Sequence, residues 1–222
     1  MDREVKSIDN FQCKDWLLNK HYAKRIPSIS FAFGLFVDGA LNGVCTFGTP
    51  SSYPLRSLWN NKYKLIELNR LVVNDGLPKN SLSFFVSRCL KLLKKPIVII
   101  SYADTSKNHH GYIYQATNWI YTGLSAKRTD WKIRGLEHLH GATIADMSRG
   151  HKNRVQYMRD KYGSDFYLED RPRKHRYFTF IGNKRDKKVM LKMLPYDIKP
   201  YPKGDNKRYD ASYNPQTQIT MF

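Results

Sequence analysis

The order of patterned segments predicts an α/β protein, a mixed central sheet flanked by helices. Three observations carry this. Asp38-Gly39 stands between two apolar stretches, and both residues tolerate positive φ, so it reads as a hairpin turn between antiparallel strands. Ile97-Val98-Ile99-Ile100 is continuously apolar, which marks a short strand covered on both faces. A strand at 65–73, a helix at 81–94 and that apolar strand at 97–103 follow one another as a βαβ crossover.

In chain order, residues 9–22 read as a helix. Asp9 or Asn10 caps it, and Phe11, Trp16, Leu17 and Tyr22 form a partial apolar stripe. Residues 30–37 and 41–47 are the hairpin strands, and 48–61, with Pro50 and Pro54, are a loop. In strand 65–73, alternation puts Glu67 and Asn69 on one face and Leu68 with Arg70 on the other. Residues 75–80 turn the chain. Asn80 or Ser81 caps the 81–94 helix, which buries Phe84, Phe85, Leu90, Leu92 and Leu93 on one side. Lys91, Lys94 and Lys95 suit its C-terminal dipole, and Pro96 stops it. Residues 104–108 are a polar loop, 110–118 a helix and 119–124 a strand. The pattern weakens over 125–174, apart from a basic helix near 152–162. Residues 176–181 alternate as a strand, 186–194 form a short helix, and Pro200-Tyr201-Pro202 opens an irregular tail. Ligands of such sheets sit at the C-terminal ends of strands, so residues 73–81 and 101–109 should border one cleft.

The 222 residues include 38 Lys and Arg against 19 Asp and Glu, a formal net charge of +19. Self-repulsion on this scale favours an acidic partner, nucleic acid first and a membrane surface second. Aromatics at 14% exclude disorder of the whole chain. No apolar stretch approaches the ~20 residues of a membrane span, and the charged N-terminus lacks the apolar run of a signal peptide. Cys13, Cys45 and Cys89 are scattered, which argues against a disulfide framework or a Cys-based zinc site and fits a reducing cytosol. Residues 1–150 hold 21 basic and 11 acidic residues, whereas 151–222 hold 17 and 8, so net charge is about twice as dense in the last third. Interleaved aromatics there suit phosphate contact with base stacking, or an ordinary solvated basic face.

Several side chains near the expected cleft have chemical potential. The helix start at 79–83 offers free N–H groups, Lys79 and the hydroxyls of Ser81 and Ser83, a set that can hold a phosphate. Arg70 reads either as an ion-paired structural residue or as a charge stabiliser. Asp104, ending the apolar strand, is either a base with a raised pKa or a cap for the next helix. His109-His110 and His138-Leu139-His140 lack the i, i+4 spacing that sets two histidines on one helical face, which argues against zinc.

Together these residues resemble a known family. His21-Tyr22 with Arg25 and Pro27, Phe33-Gly34, the 43–48 segment, Glu67-Leu68-Asn69-Arg70-Leu71 and Pro78-Lys79-Asn80-Ser81 carry the first half of the likeness. Ile100-Ser101-Tyr102-Ala103-Asp104, the 110–119 segment, Lys174-His175-Arg176-Tyr177 and Pro200-Tyr201-Pro202-Lys203 carry the second. The chain is similar to the Mom-type DNA adenine-modification proteins of bacteriophages, a branch of the GNAT acyltransferase superfamily. The likeness covers most of 20–205, and 101–119 is its most specific part.

The resemblance implies a GNAT-like catalytic domain over 1–205 and a transferase that adds a carbamoylmethyl group to the exocyclic amine of adenine. The partner is double-stranded DNA, the place is the cytoplasm of the bacterial host, and the effect is protection from restriction. Carried over by motif, the catalytic positions are His21, Tyr22, Arg70, Asp104 and Tyr114, with Tyr22, Tyr114 and Trp119 as aromatic platforms for a flipped base. The acyl-donor site falls on Val72, Val73, Lys79, Asn80, Ser81 and Ser83, for acetyl-CoA or a glycyl donor such as glycyl-tRNA. The loop Leu77-Pro78-Lys79-Asn80-Ser81-Leu82-Ser83 departs from the glycine-rich pyrophosphate loop of the superfamily. Joining through a CH2 carbon, rather than a carbonyl, points to an unusual donor or to methyl activation by iron. His21, Tyr22, Asp104 and Tyr114 would supply the N and O ligands. Residues 127–176 hold 13 basic and 7 acidic residues, and 125–174 is expected to be a DNA-contacting insertion. Its DNA-facing residues are Lys127, Arg128, Lys152, Arg154 and Arg159, continued by Arg173, Lys174 and Arg176. An irregular tail at 206–222 completes the expectation. Rival readings are an acyltransferase acting on protein or tRNA, and a non-enzymatic DNA-binding protein.

Overall fold

A computed structural model describes residues 2–60 and 62–204; the expected tail at 206–222 lies outside them. Seven strands form one sheet in the order β1-β2-β3-β4-β5-β9-β6. They are β1 (Arg3–Ser7), β2 (Phe31–Val37), β3 (Ala40–Gly48), β4 (Lys64–Val73), β5 (Ile97–Asp104), β6 (Ile120–Leu124) and β9 (Lys174–Ile181). Asp38 and Gly39 both take positive φ in the β2–β3 hairpin, as their sequence requires. β4 and β5 are parallel and every other neighbouring pair is antiparallel. The mixed sheet and the crossover are therefore as expected. β1 has no counterpart in the sequence pattern: its burial alternates only weakly, as suits a charged edge strand.

Helix α3 (Ser81–Leu92) and the short α4 (Tyr112–Ala116) cover one face, over a core that includes Phe33, Phe47, Ile66, Leu68, Phe85 and Ile99. The other face has two separate covers. Over β2–β4 lies α1 (Asn10–Asp15), prolonged by a π turn at Trp16–Lys20, with Trp16 and Leu17 on Ala32, Val44 and Val72. Over β5 and β9 lies α7 (Lys184–Lys192), with Met190 on Trp59, Val98, Ile100 and Phe178. The 48–61 loop contains the single turn α2 (Tyr53–Arg56) and is anchored by fully buried Trp59, whose indole N–H donates to Met190 O at 3.0 Å. Ile97 and Ile99 face the first core, Val98 and Ile100 the second, which explains the unbroken apolar run.

A bulge in β4 rearranges the site. Thr46 pairs with Arg70 and Phe47 with Leu68, so Asn69 is an extra residue that reverses the alternation beyond it. Ile66 and Leu68 face the α3 core, and past the bulge Leu71 and Val73 do. Leu65 and Val72 point the other way. Glu67 and Arg70 thus share the second face, where strict alternation predicted opposite ones. The Asn69 amide holds the bulge, accepting from Thr46 Oγ1 at 2.6 Å and donating to Ser28 O at 2.9 Å.

Parallel pairing of β4 and β5 ends at Leu68 and Ser101, although both strands continue, and the gap between them opens a cleft. Beyond β6 the chain builds a second layer: β7 (Arg128–Ile133) pairs only with β8 (Phe166–Arg171). Between them lie α5 (Gly141–Asp146) and α6 (Arg154–Tyr162), and Ile133, Ile144, Met158 and Phe166 form a core of their own. The expected basic helix is α6. Residues 197–204 pack back on the sheet: Lys199 N–H donates to Tyr121 O and Tyr201 Oη to Trp119 O. Among the described residues no helix is long and apolar enough to cross a membrane.

Candidate active site

The cleft encloses about 960 Å³. His21, Tyr22, Arg70 and Tyr114 line it, as do Val73, Lys79, Asn80, Ser81 and Ser83. The structure thus brings most of the expected residues to one place. Val72 is the exception among the donor positions, since its side chain is buried beneath α1. Asp104 is the exception among the catalytic ones, as it does not line the cleft.

Glu67 does line it, and the sequence motifs do not single it out. Burial pushes its carboxyl up to about 6 against the pull of the nearby Arg70, Lys174 and Arg171 cations. The only carboxylate in β4 was a signal present in the sequence; the bulge that sets it beside Arg70 was not. Arg70 donates to Asn69 O at 2.7 Å and to Arg25 O at 3.2 Å, while its buried Nε has no hydrogen-bond partner among the described residues.

His21 is buried, and its imidazole is held down to about 3 by burial first and then by Arg70, His109 and Lys174. Its Nδ1 accepts from Ala23 N–H at 3.0 Å, so the neutral ring carries its proton on Nε2. It is a neutral donor at pH 7. Tyr22 stacks on His21 with ring centroids 4.4 Å apart and meets His109 edge-on.

Tyr114 is buried, and burial raises its hydroxyl well above the usual tyrosine range. Ser101 Oγ lies 2.7 Å from both Leu68 O and Tyr114 Oη. The carbonyl can only accept, so Ser101 donates to it and Tyr114 donates to Ser101. Gly111 lets the Tyr177 ring pack against the start of α4: a Cβ there would sit 2.4 Å from that ring, at a φ of +74°. Trp119, expected as a platform, is fully buried and cannot stack a base.

The raised pKa expected of Asp104 is reversed. Burial pushes the carboxyl up, but hydrogen bonds from Ser106 and the Lys174 ammonium at 3.3 Å outweigh it and hold the group below the usual range. Asp104 caps the turn Thr105–Lys107, the alternative role its position allowed. At the donor end, Asn80 takes φ 68° at the N-cap of α3, a left-handed conformation of the kind a glycine would otherwise supply. Residues 79–83 therefore fit a phosphate-bearing donor despite the missing glycines.

The four proposed iron ligands do not form a donor set. His21 Nδ1, Tyr114 Oη and the Asp104 carboxylate are committed to Ala23, Ser101, and Ser106 with Lys174. Among the described residues no three His, Cys, Asp or Glu side chains group around a metal position. Of the basic positions, Arg128, Lys174 and Arg176 line the cleft, and Lys127, Lys152 and Arg159 are exposed. Others also serve as internal pins. Arg154 donates to Ser148 Oγ and Ala145 O, Arg173 to Ser125 O, and Arg176 to Thr122 while lying 3.5 Å over the Tyr196 ring.

Comparison with known proteins bears on this arrangement. The methylcarbamoylase Mom of Escherichia phage Mu is 28% identical over 207 residues, covering 90% of this chain and 83% of that protein. A GNAT-family acetyltransferase from Bacillus cereus ATCC 10987 aligns with 82% of this chain and all of its own, at 11% identity and a TM-score of 0.44. The IAA acetyltransferase of Bacillus cereus ATCC 14579 aligns with 81% of this chain and all of its own, at 10% identity and 0.46. The model of the Mom protein family matches residues 2–203. That span takes in the whole sheet, the bulged strand and every residue of the cleft, and the chain belongs to the Mom protein family.

Proposed function

We propose that this protein is a DNA-modifying transferase that places a carbamoylmethyl group on the exocyclic amine of adenine, and so shields phage DNA from restriction inside the bacterial host. The observation that carries the reading is Glu67, a cleft carboxylate whose pKa lies near 6, set beside Arg70 on the sheet face away from the donor loop. Membership of the Mom family and the net charge of +19 support it.

The adenine amine is a weak nucleophile, because its lone pair is delocalised into the ring. It must lose a proton as its new bond to carbon forms. Glu67 is ionised at pH 7 yet basic enough to take that proton, whereas Asp104 is held too acidic and sits outside the cleft. The orphan Nε–H of Arg70 and the Nε2–H of His21 stabilise negative charge developing on the donor. Tyr114, whose raised pKa keeps it protonated, is fixed at the cleft wall by its hydrogen bond to Ser101. A target base must leave the duplex stack, and Tyr22 at the cleft wall offers a platform for it. The new bond forms between the amine nitrogen and the CH2 carbon of a donor that carries the carbamoylmethyl group, and the bond from that carbon to the donor's leaving group breaks. Attack on the carbonyl of a plain acyl donor such as acetyl-CoA would leave an amide instead. Lys79, Ser81 and Ser83 would hold the donor's phosphates. Lys127, Arg128, Lys152 and Arg159 of the 125–174 insertion would touch the DNA backbone.

Mass spectrometry of nucleosides from cells expressing the protein tests the reading. Wild type should yield a carbamoylmethyl adenine that disappears in Glu67→Gln and in Arg70→Gln. Unmodified adenine at good soluble expression would overturn it, and acylated protein or tRNA in its place would establish the acyltransferase rival.

A further inference from the structure

The 125–174 insertion does not account for the charge. Its fifty residues hold twelve basic and seven acidic residues, a net of +5 out of the chain's +19. The nine residues of α7 hold Lys184, Arg185, Lys187, Lys188 and Lys192 against Asp186, a net of +4. All five cations are exposed, and among the described residues none forms an ion pair. Asp186 is turned inward, where it accepts from Tyr63 Oη at 3.2 Å. Lys184, Lys188 and Lys192 recur every fourth residue, so they form one stripe about 12 Å long. Like charges at this spacing repel, and Lys184 and Arg185 open the helix at the end where its dipole disfavours cations. The helix does not gain from this pattern; a polyanion lying along it would.

The position of α7 says which polyanion. It packs on the Glu67 and Arg70 face, opposite α3 and the donor loop. Its C-terminal end leads to Tyr196, which lines the cleft under Arg176. A duplex presenting a base to Glu67 would have its flank beside this stripe, while the sheet itself separates it from α3. We infer that α7 is a second phosphate-backbone contact for the duplex DNA being modified, made through Lys184, Lys188 and Lys192. This rests on the DNA-modifying reading above.

The test compares wild type with Lys184→Gln/Lys188→Gln/Lys192→Gln for binding of a short labelled DNA duplex across a salt series. An equal loss of charge on the α3 side, Lys91→Gln/Lys94→Gln/Lys95→Gln, is the control. The α7 variant should bind at least about tenfold more weakly, and its slope of log affinity against log salt should fall by about 0.9 for each phosphate it no longer neutralises. The control should keep the wild-type slope. An unchanged slope in the α7 variant, an equal drop in the control, or a weakening seen only with an RNA probe would overturn the assignment. Adenine adducts are measured on the same samples. Wild type that neither binds nor modifies DNA defeats the parent reading, whereas active wild type beside an unaffected α7 variant defeats the α7 assignment alone.

Discussion

Glu67 and Asp104 are both carboxylates on neighbouring strands, and their surroundings push them in opposite directions. Glu67 is dominated by burial, which raises it to about 6; Asp104 is dominated by Ser106 and Lys174, which lower it. If Glu67 is the base, kcat/KM should rise with pH through about 6, and Glu67→Gln should lose roughly 10²–10⁴-fold and flatten the profile. Asp104→Asn should reduce the rate while keeping the inflection near 6, because Asp104 acts by positioning Lys174 and capping the Thr105–Lys107 turn, not as the base. The stability consequence has the opposite sign to the catalytic one. A carboxyl raised in the folded state holds its proton while the unfolded chain releases it, so stability falls as pH rises from about 4.5 to about 6. Glu67→Gln removes that penalty and should gain about 1–2 kcal/mol at pH 8, read from denaturant melts, even as activity vanishes. The motif residues His21, Tyr22, Arg70 and Tyr114 were legible as types. Their protonation was not, because it depends on burial and on neighbours distant in the chain.

At the scale of elements, the bulge in β4 is what joins Glu67 to Arg70, and the Asn69 amide is what holds the bulge. Asn69→Ala would leave Thr46 Oγ1, in a fully buried residue, without its acceptor and Ser28 O without its donor. The cost should be about 1–3 kcal/mol in thermal or denaturant unfolding. Because Arg70 also donates to Asn69 O, kcat should fall more than KM rises. Asn69→Asp, which keeps the acceptor for Thr46, should recover part of both losses. The elements visible in the sequence were those with strong local signals: the Asp38-Gly39 turn, the 97–100 run and the capped α3. What stayed hidden has a physical reason in each case. β1 is an edge strand with too few apolar residues to show a period. α2 is a single turn inside a proline-containing loop. β7 and β8 form a two-stranded ribbon whose inner face is covered by α5 and α6 alone, so their alternation is weak. The bulge has no sequence signature, because Asn69 is selected by partners at Ser28 and Thr46.

At the scale of the molecule, the charge belongs mainly to the body. Removing residues 128–171 would leave a net charge of about +17, since that segment adds only +2. The segment is also built to be separable. Arg128 and Arg171 are the first and last paired residues of the β7–β8 ribbon, so its ends stand roughly 4.5–5.5 Å apart across an antiparallel pair. Its apolar side chains close on one another, and the pins that fix its base, Arg173 to the carbonyls of Ser125 and Leu124, lie outside the segment. Replacing 128–171 by a short Gly-Ser linker should therefore leave a cooperatively unfolding body with a melting point within a few degrees of the whole protein. Duplex binding should persist through α7 and the cleft rim. Its salt slope should fall by about 2–3, the amount expected for exposed Arg128, Lys152 and Arg159 at about 0.9 each. Adduct formation should be lost, because Arg128 and Arg171 leave the cleft wall with the segment. A body that no longer unfolds cooperatively would show that the inserted layer is part of the main core. A salt slope that collapses to zero would place all the backbone-binding cations in the insertion and none on α7.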